Sequence, residues 1–316
     1  MSDSAHLLIP FAAPSAPECR QALRSLALPR LERLLARLQP GPVDAGEDTS
    51  LTPPHERALA RACALAPADG RVPWAAWQLR AAGGEPGRDA WAQITPCHWR
   101  VGSDHVALDD PARLQLHEDE SRALLAAVRP FFEEDGIALE YAGPTLWLAR
   151  GETFRDFPAA SLDRVIGRTV DAWLPRVAGA GPVRRLQQEV QMLLYTNETN
   201  DERQRRGLLP VNSFWVSGTG ALPDGAGPRP AGLQVADALR EPALAGDWPA
   251  WAAAWREIDA REGAALLRAL AGGQAVTLTL CGDRQAQAWT SAGGGWLRRL
   301  GSLFGGPRVA AALEAL

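Results

Sequence analysis

Apolar positions change their spacing several times along the chain, and each change predicts an element. The run "HLLIPFAAP" (6–14) is continuously apolar and closes on prolines, which predicts a short buried strand. Leucines at 28, 31, 34, 35 and 38, with Pro29 in the first turn, predict a helix over 28–38. A strand followed by a helix suggests the opening of an α/β layer. Residues 39–53 are rich in Pro, Gly and acids and are expected to be a loop; a second helix is expected over 54–65, and a Gly-rich break near 83–88.

From residue 89 the texture changes. "AWAQITPCHWRVGSDHVALDD" reads as two extended segments, and apolar residues at 124, 125, 128, 131 and 132 predict a helix closed by Gly136. "IALEYAGPTLWLARG" alternates around Gly143-Pro144, as a β-hairpin does. Ser161 is placed to cap a helix with apolar residues at 162, 165, 166, 170 and 173, and "PVRRLQQEVQMLLYTN" predicts another. "VNSFWVSG" predicts a strand running into a Gly-rich turn, and 221–232 a Pro/Gly linker. In the helical region 246–271, Trp251, Trp255 and Ile258 recur at helical spacing, which favours core packing over a base-stacking platform. "AVTLTL" (275–280) predicts a strand entering "CGDRQ", and a C-terminal helix follows.

At 316 residues the chain can hold two domains or one large domain with an insertion. Its apolar fraction of 46% and charged fraction of 22% are those of a soluble globular protein. The formal charge of −4 argues against nucleic acid and acidic membranes as partners. All 33 basic residues are arginine, a pattern of GC-rich coding. The N-terminus lacks the layout of a secretory signal, and no apolar run approaches the roughly 20 residues of a membrane span, so a cytoplasmic protein is expected. Cys19, Cys63, Cys97 and Cys281 are widely spaced with no CxxC pair, which predicts reduced thiols.

Four groups carry candidate chemistry. Cys97, His98, Asp104 and His105 fall close together, but neighbours on a strand point to opposite faces, so Cys97 and His98 are poorly placed to activate one another. Arg164 and Arg168, one helical turn apart in the expected helix, can fork onto a phosphate or carboxylate; an exposed salt-bridged face is the plainer reading. Asn200, Arg203, Arg205, Arg206 and Asn212 gather amides and guanidiniums in one unusual stretch, 193–220. Asp283 and Arg284 follow the carboxyl end of a strand, where open α/β sheets build their sites.

Two resemblances bear on that stretch. Asn200, Arg203, Gly207, Pro210, Asn212, Trp215, Gly218 and Gly220 are similar to a segment of archaeal-type cofactor-independent phosphoglycerate mutases, metalloenzymes of the alkaline phosphatase superfamily. That resemblance implies a dinuclear metal site with an aspartate on the first strand, a Ser or Thr nucleophile and late Asp-His pairs. This chain departs from it: the first strand runs into Pro10-Phe11, all five histidines precede the shared segment, and Arg284 stands where the Gly-Asp-His turn has its imidazole. A guanidinium stays protonated and cannot ligate a metal. A second resemblance covers most of the chain: "AWAQITPCHWRVGSDHV", "FFEEDGI", "SLDRVIGR", "EVQMLLYTNETNDERQRRGLLPVNSFWVSGTG" and "LTLCGDR" together resemble the proteobacterial RpfE-type regulatory proteins. It implies a bacterial regulatory protein whose family name defines no reaction.

The expected architecture is α/β: a reduced alkaline-phosphatase-like core from 1–88 and 212–316, interrupted by an α+β insertion over 89–211. The expected function is non-catalytic regulation or partner binding, with no cofactor and no metal. Asn200, Arg203, Asn212, Arg164, Arg168, Asp283 and Arg284 are the candidates to hold a ligand, either a protein partner or a phosphorylated small molecule. The alternatives are a phosphoester-processing enzyme of the mutase type and, more remotely, a nucleic-acid-associated protein.

Overall fold

A computed structural model describes residues 4–65, 68–291 and 309–316. In chain order the strands are β1 (Ala5–Ala13), β2 (Leu38–Ala45), β3 (Ala90–Cys97), β4 (Trp99–Val101), β5 (Val106–Leu108), β6 (Ala138–Gly143), β7 (Leu146–Arg150), β8 (Ser213–Ala221), β9 (Leu233–Val235), β10 (Val276–Gly282) and β11 (Gln285–Ser291). The helices are α1 (Pro17–Arg24), α2 (Pro29–Leu35), α3 (Pro54–Ala62), α4 (Trp74–Ala81), α5 (Glu118–Glu134), α6 (Leu162–Val165), α7 (Gly181–Tyr195), α8 (Glu198–Arg205), α9 (Arg240–Ala245), α10 (Trp248–Ile258), α11 (Ala264–Ala271) and α12 (Val309–Glu314). No described helix is long and apolar enough to cross a membrane. The chain is a mixed α/β protein and divides into two compact units, Met1–Asp48 with Pro53–Cys63 and Gly227–Leu316, and Thr49–Thr52 with Ala64–Ala226.

The first unit is built on a five-stranded sheet ordered β2-β11-β10-β1-β9. β1 lies parallel to both β10 and β9, while β10–β11 and β11–β2 are antiparallel. Both faces are covered, which is why β1 reads as a continuous apolar run. Leu7 and Ile9 face the larger core with Leu31, Leu34, Trp251, Trp255, Leu278, Leu280 and Trp289. Leu8, Cys281 and Ala286 face the other way, under Ala58, Leu59 and Ala62 of α3. The tryptophans of α10 are therefore core residues, as their spacing predicts. Between α10 and α11 the helix widens into a π turn over Asp259–Gly263. The buried Asp259 carboxylate accepts the Leu31 N–H at 2.8 Å and the Arg30 N–H at 3.0 Å, satisfying orphan donors in the first turn of α2.

The second unit holds an antiparallel sheet ordered β6-β7-β3-β8 and a separate β4–β5 ribbon. One sheet face packs Ile94, Leu139, Trp147, Phe214 and Val216 against Leu124, Val128 and Phe132 of α5 and Val183, Leu186 and Val190 of α7. On the other, Trp91 and Leu148 pack with Ala75 and Ala76 of α4. Gly218 takes φ 61°, and a Cβ there would lie 3.1 Å from the Trp74 Cβ, so any other residue is strained at this point of β8.

Three sequence expectations are corrected. The segment 39–53 is not all loop: Leu38–Ala45 is the edge strand β2, pairing with β11. Its prolines tolerate that edge position, since they need no ladder partner on the open side. The helix expected from Ser161 stops at Val165, because Gly167 at φ 72° turns the chain away; Ser161 does cap it, accepting the Asp163 N–H. The expected division at 88 and 212 also differs from the two units: α4 and β8 belong with β3 in the second unit, because β8 finds its ladder partner there and not in the five-stranded sheet.

Candidate functional site

The stretch 193–220 folds as the end of α7, the short α8 and strand β8. Asn197 caps α8 by accepting the Thr199 N–H at 3.0 Å. One turn on, Asn200 is 2% exposed and its amide is consumed by the backbone. Its Nδ2 donates to Leu194 O at 2.8 Å and to Val211 O at 2.7 Å, and its Oδ1 accepts the Val211 N–H at 2.9 Å. Asn200 thereby substitutes for a missing strand partner and fixes the entry into β8.

Arg203, on the same helix, has no exposed side-chain surface. Its Nε donates to Leu209 O at 3.0 Å, one Nη to Glu120 at 2.5 Å and the other to Leu114 O. Glu120 also accepts Arg206 at 2.8 Å and the His117 N–H at 3.2 Å, so one carboxylate at the start of α5 ties α8 to α5. Asn212 accepts the Trp99 N–H at 2.7 Å and donates to Trp99 O at 2.9 Å, while the His98 ring bonds Pro210 O at 2.9 Å. The amides and the guanidinium of this stretch thus close the α8–β8 connection and anchor β4.

Of the remaining sequence candidates of this unit, Cys97 meets that network through its carbonyl, which accepts the Asn212 N–H at 3.1 Å. Arg164 is buried on α6, whereas Arg168, past the Gly167 turn, is exposed and stands 5.9 Å from the Trp173 ring centroid. Sharing no helix, they do not present the single forked face that their spacing suggests. Burial pushes the Cys97 thiol up, so it is held as a neutral thiol rather than a nucleophile. His105 bonds Asp104 at 2.7 Å on an exposed turn, and that bond holds the Asp104 carboxyl below its usual range.

Asp283 and Arg284 belong to the first unit, in the turn between β10 and β11. Asp283 accepts the Ser15 N–H at 2.7 Å and the Ser15 hydroxyl at 2.6 Å, joining the loop after β1 to the end of β10. Burial, with the Asp283 charge adding to it, pushes the Cys19 thiol up to about 12. The Arg284 side chain approaches Asp48 at 3.6 Å, and its carbonyl accepts the Gly46 N–H at 2.8 Å and Arg57 at 3.2 Å. Arg57 and Arg61 both grip Asp44, at 3.0 and 2.8 Å. Burial pushes that carboxyl up, but the hydrogen bonds from Arg61 and Arg57 outweigh it and leave Asp44 below its usual range.

The end of β1 carries an unusual backbone. Register with β10 breaks between Ile9 and Ala13, and Phe11 takes φ 53°, the left-handed region that a bulky residue rarely enters. Two indoles hold the bulge: Trp251 donates to Phe11 O at 3.0 Å and Trp255 to Ala12 O at 3.3 Å. The Phe11 ring lies against His55, 5.1 Å between centroids. At this strand end the mutase resemblance implies an aspartate and imidazoles. Phe11 on the bulge and the Arg284 guanidinium offer no metal-binding atom, and the Asp283 carboxylate accepts from Ser15; the imidazole at this end is His55, with Glu56 next to it in the first turn of α3, which is fewer ligands than the dinuclear site of the resemblance requires.

Sequence reasoning singles out Asp283 and Arg284 but not their bonding neighbours Ser15, Asp44, Arg57 and Arg61. The first lies in what reads as a proline-rich strand end, and Asp44 in what reads as a loop, so no spacing signal points to either.

No protein-family model and no curated protein matches the chain. Among solved structures it is similar to the cofactor-independent phosphoglycerate mutase from Thermoplasma acidophilum DSM 1728, at 15% identity and a TM-score of 0.39, covering 100% of this chain and 99% of that one. It is also similar to the PH0037 protein from Pyrococcus horikoshii, at 10% identity and a TM-score of 0.47, covering 93% of this chain and 88% of that one.

Proposed function

We propose that this chain is a non-catalytic regulatory or partner-binding protein, cytoplasmic, on a reduced phosphatase-like scaffold, in keeping with its resemblance to RpfE-type regulatory proteins. The observation that carries this reading is the internal use of the polar groups in 193–220. Asn200 and Arg203 are buried, and Asn200, Arg203 and Asn212 spend their donors and acceptors on Leu114, Leu194, Leu209, Val211, Trp99 and Glu120. An enzyme that used them on substrate would keep those atoms aimed into a cleft. Phe11 and Arg284 at the strand ends support the same reading, since neither side chain ligates a metal.

The test is turnover by the purified protein on phosphomonoesters and on 3-phosphoglycerate, with Mn²⁺ or Zn²⁺ supplied. The expected result is a rate indistinguishable from the blank. Stoichiometric tight metal together with robust turnover, lost in Asn212→Ala, would overturn the proposal. A thermal-shift panel of phosphorylated metabolites separates the ligand-binding reading, because a ligand at 100 times its dissociation constant stabilises by about 2.7 kcal/mol. A flat panel is expected.

A further inference from the structure

We propose that helix α12 is a detachable cover over a groove that takes an amphipathic helix of a partner protein in its place. The inference rests on the partner-binding reading above and gives it a surface and a means of control. Val309, Ala312 and Leu313 are buried and Leu316 packs half-buried against the same core, while Ala311, Glu314 and Ala315 are exposed. That spacing, i, i+3, i+4 and i+7, is the apolar stripe with which a helix lies in a groove.

The groove is formed by α1, α2 and β1, against which α12 packs. Its end lies at the carboxyl edge of the five-stranded sheet. There the parallel strands β1 and β10 pair through Ala13 and Gly282, and Asp283 follows with its bonds to Ser15. Open α/β sheets take their ligands beyond the carboxyl ends of their strands, so α12 occupies ground on which this fold offers a binding surface. Gly282 makes the seat possible: a Cβ there would lie 2.8 Å from Leu316 O and 2.9 Å from the Leu316 Cβ.

Apolar contact holds the seat. Among the described residues no hydrogen bond or ion pair joins α12 to α1, α2 or β1, unlike α2, whose first turn Asp259 caps. A helix of six residues is well below the roughly 12 at which an isolated helix becomes even marginal in water, so α12 is helical while seated and melts when it leaves. Such an element opens without unfolding the sheet beneath it. A longer partner helix with the same stripe competes for the groove, and the cover lowers its apparent affinity by the fraction of chains in which the groove is open.

The experiment uses the full chain. In native-state hydrogen exchange the amides of 309–316 should exchange ahead of those of β1 and β10, at a rate that low urea leaves unchanged, the mark of local opening. Gly282→Ala should raise that exchange about tenfold and leave the protection of β1 and β10 as it was. Leu313→Ala, which removes an anchor of α12 without touching the sheet, should do the same. The probe is a fluorescent peptide of about 15 residues with the Val, Ala, Leu and Leu of α12 at their own spacing and Glu and Arg on its other faces, long enough to hold a helix. Its control has the two leucines moved to the polar face. By anisotropy the probe should bind saturably, about tenfold more tightly to either variant than to the parent chain, and the control should not bind. Amides of α12 that exchange only with global unfolding, a probe that binds parent and variants alike or not at all, or a dimer that grows with the concentration of the variants would each overturn the proposal. Failure here in a protein without turnover removes the cover alone; turnover removes the partner-binding reading whatever α12 does.

Discussion

Replacing Arg203 by methionine while leaving Glu120 in place separates a structural guanidinium from a ligand-binding one. The side chain is wholly buried and bonded to Leu209 O, Leu114 O and Glu120. Removing one partner of a buried ion pair costs about 3–5 kcal/mol, because the other charge is left uncompensated. Glu120 retains 13% exposure and keeps Arg206 and the His117 N–H, which places the carboxylate's share at the low end. Two carbonyls lose their donor at about 1 kcal/mol each, and methionine restores part of the packing, so the net loss is about 3–4 kcal/mol. For a unit of this size that lowers the melting temperature by about 10 °C. The assay is thermal unfolding followed by circular dichroism, with urea unfolding as a second measure. If Arg203→Met melts within about 2 °C of the parent protein, the guanidinium is not holding α8 to α5 and the structural account is refuted.

Three further outcomes follow from other parts of the molecule. Burial lowers the His6 pKa below 6.5, where its ring bonds the Thr279 hydroxyl at 2.8 Å. The unfolded chain takes up that proton below pH 6.5 while the folded one resists it, so stability is fully present above 6.5 and falls as the pH drops toward the lowered value. His6→Gln should flatten that part of a urea-unfolding pH profile; an unchanged slope refutes the assignment. Asp259→Ala, which strips the buried cap from α2, should cost about 2–3 kcal/mol in chemical denaturation, and a loss below about 0.5 kcal/mol would show that the π turn serves no capping role. All four cysteines are buried, with the thiols of Cys19, Cys97 and Cys281 pushed up, so the native protein should resist iodoacetamide at pH 8 and gain four labels in denaturant. A label on the native protein, read by mass spectrometry, would contradict that packing.

The elements that the sequence predicts correctly are those whose residues carry their own periodicity. β1, α5, the β6–β7 hairpin, the tryptophan helix α10 and strand β10 are each encoded by apolar spacing and by local signals such as Gly136 after α5. β2 was hidden because its pairing is supplied by β11, far away in sequence, and not by its own Pro/Gly-rich composition. The helix after Ser161 was overread because apolar positions continue past Gly167, while the left-handed turn there overrides them.

The candidate site divides in the same way. Residue types alone single out Asn200, Arg203, Asn212, Asp283 and Arg284 as groups that demand partners. Amides and guanidiniums advertise hydrogen-bonding capacity, but their sequence does not say whether a ligand or the protein's own backbone will use it. That decision is made by long-range placement: the carbonyl of Leu114, the carboxylate of Glu120 and the backbone of Trp99 come within bonding distance only when α8, α5 and β4 assemble. In the other unit, Ser15 meets Asp283 across 268 positions of chain. The sequence by itself determined the α/β character and the list of polar groups needing satisfaction. Only the tertiary structure determined who satisfies them, because a hydrogen bond depends on a few tenths of an ångström between elements whose packing no local pattern specifies.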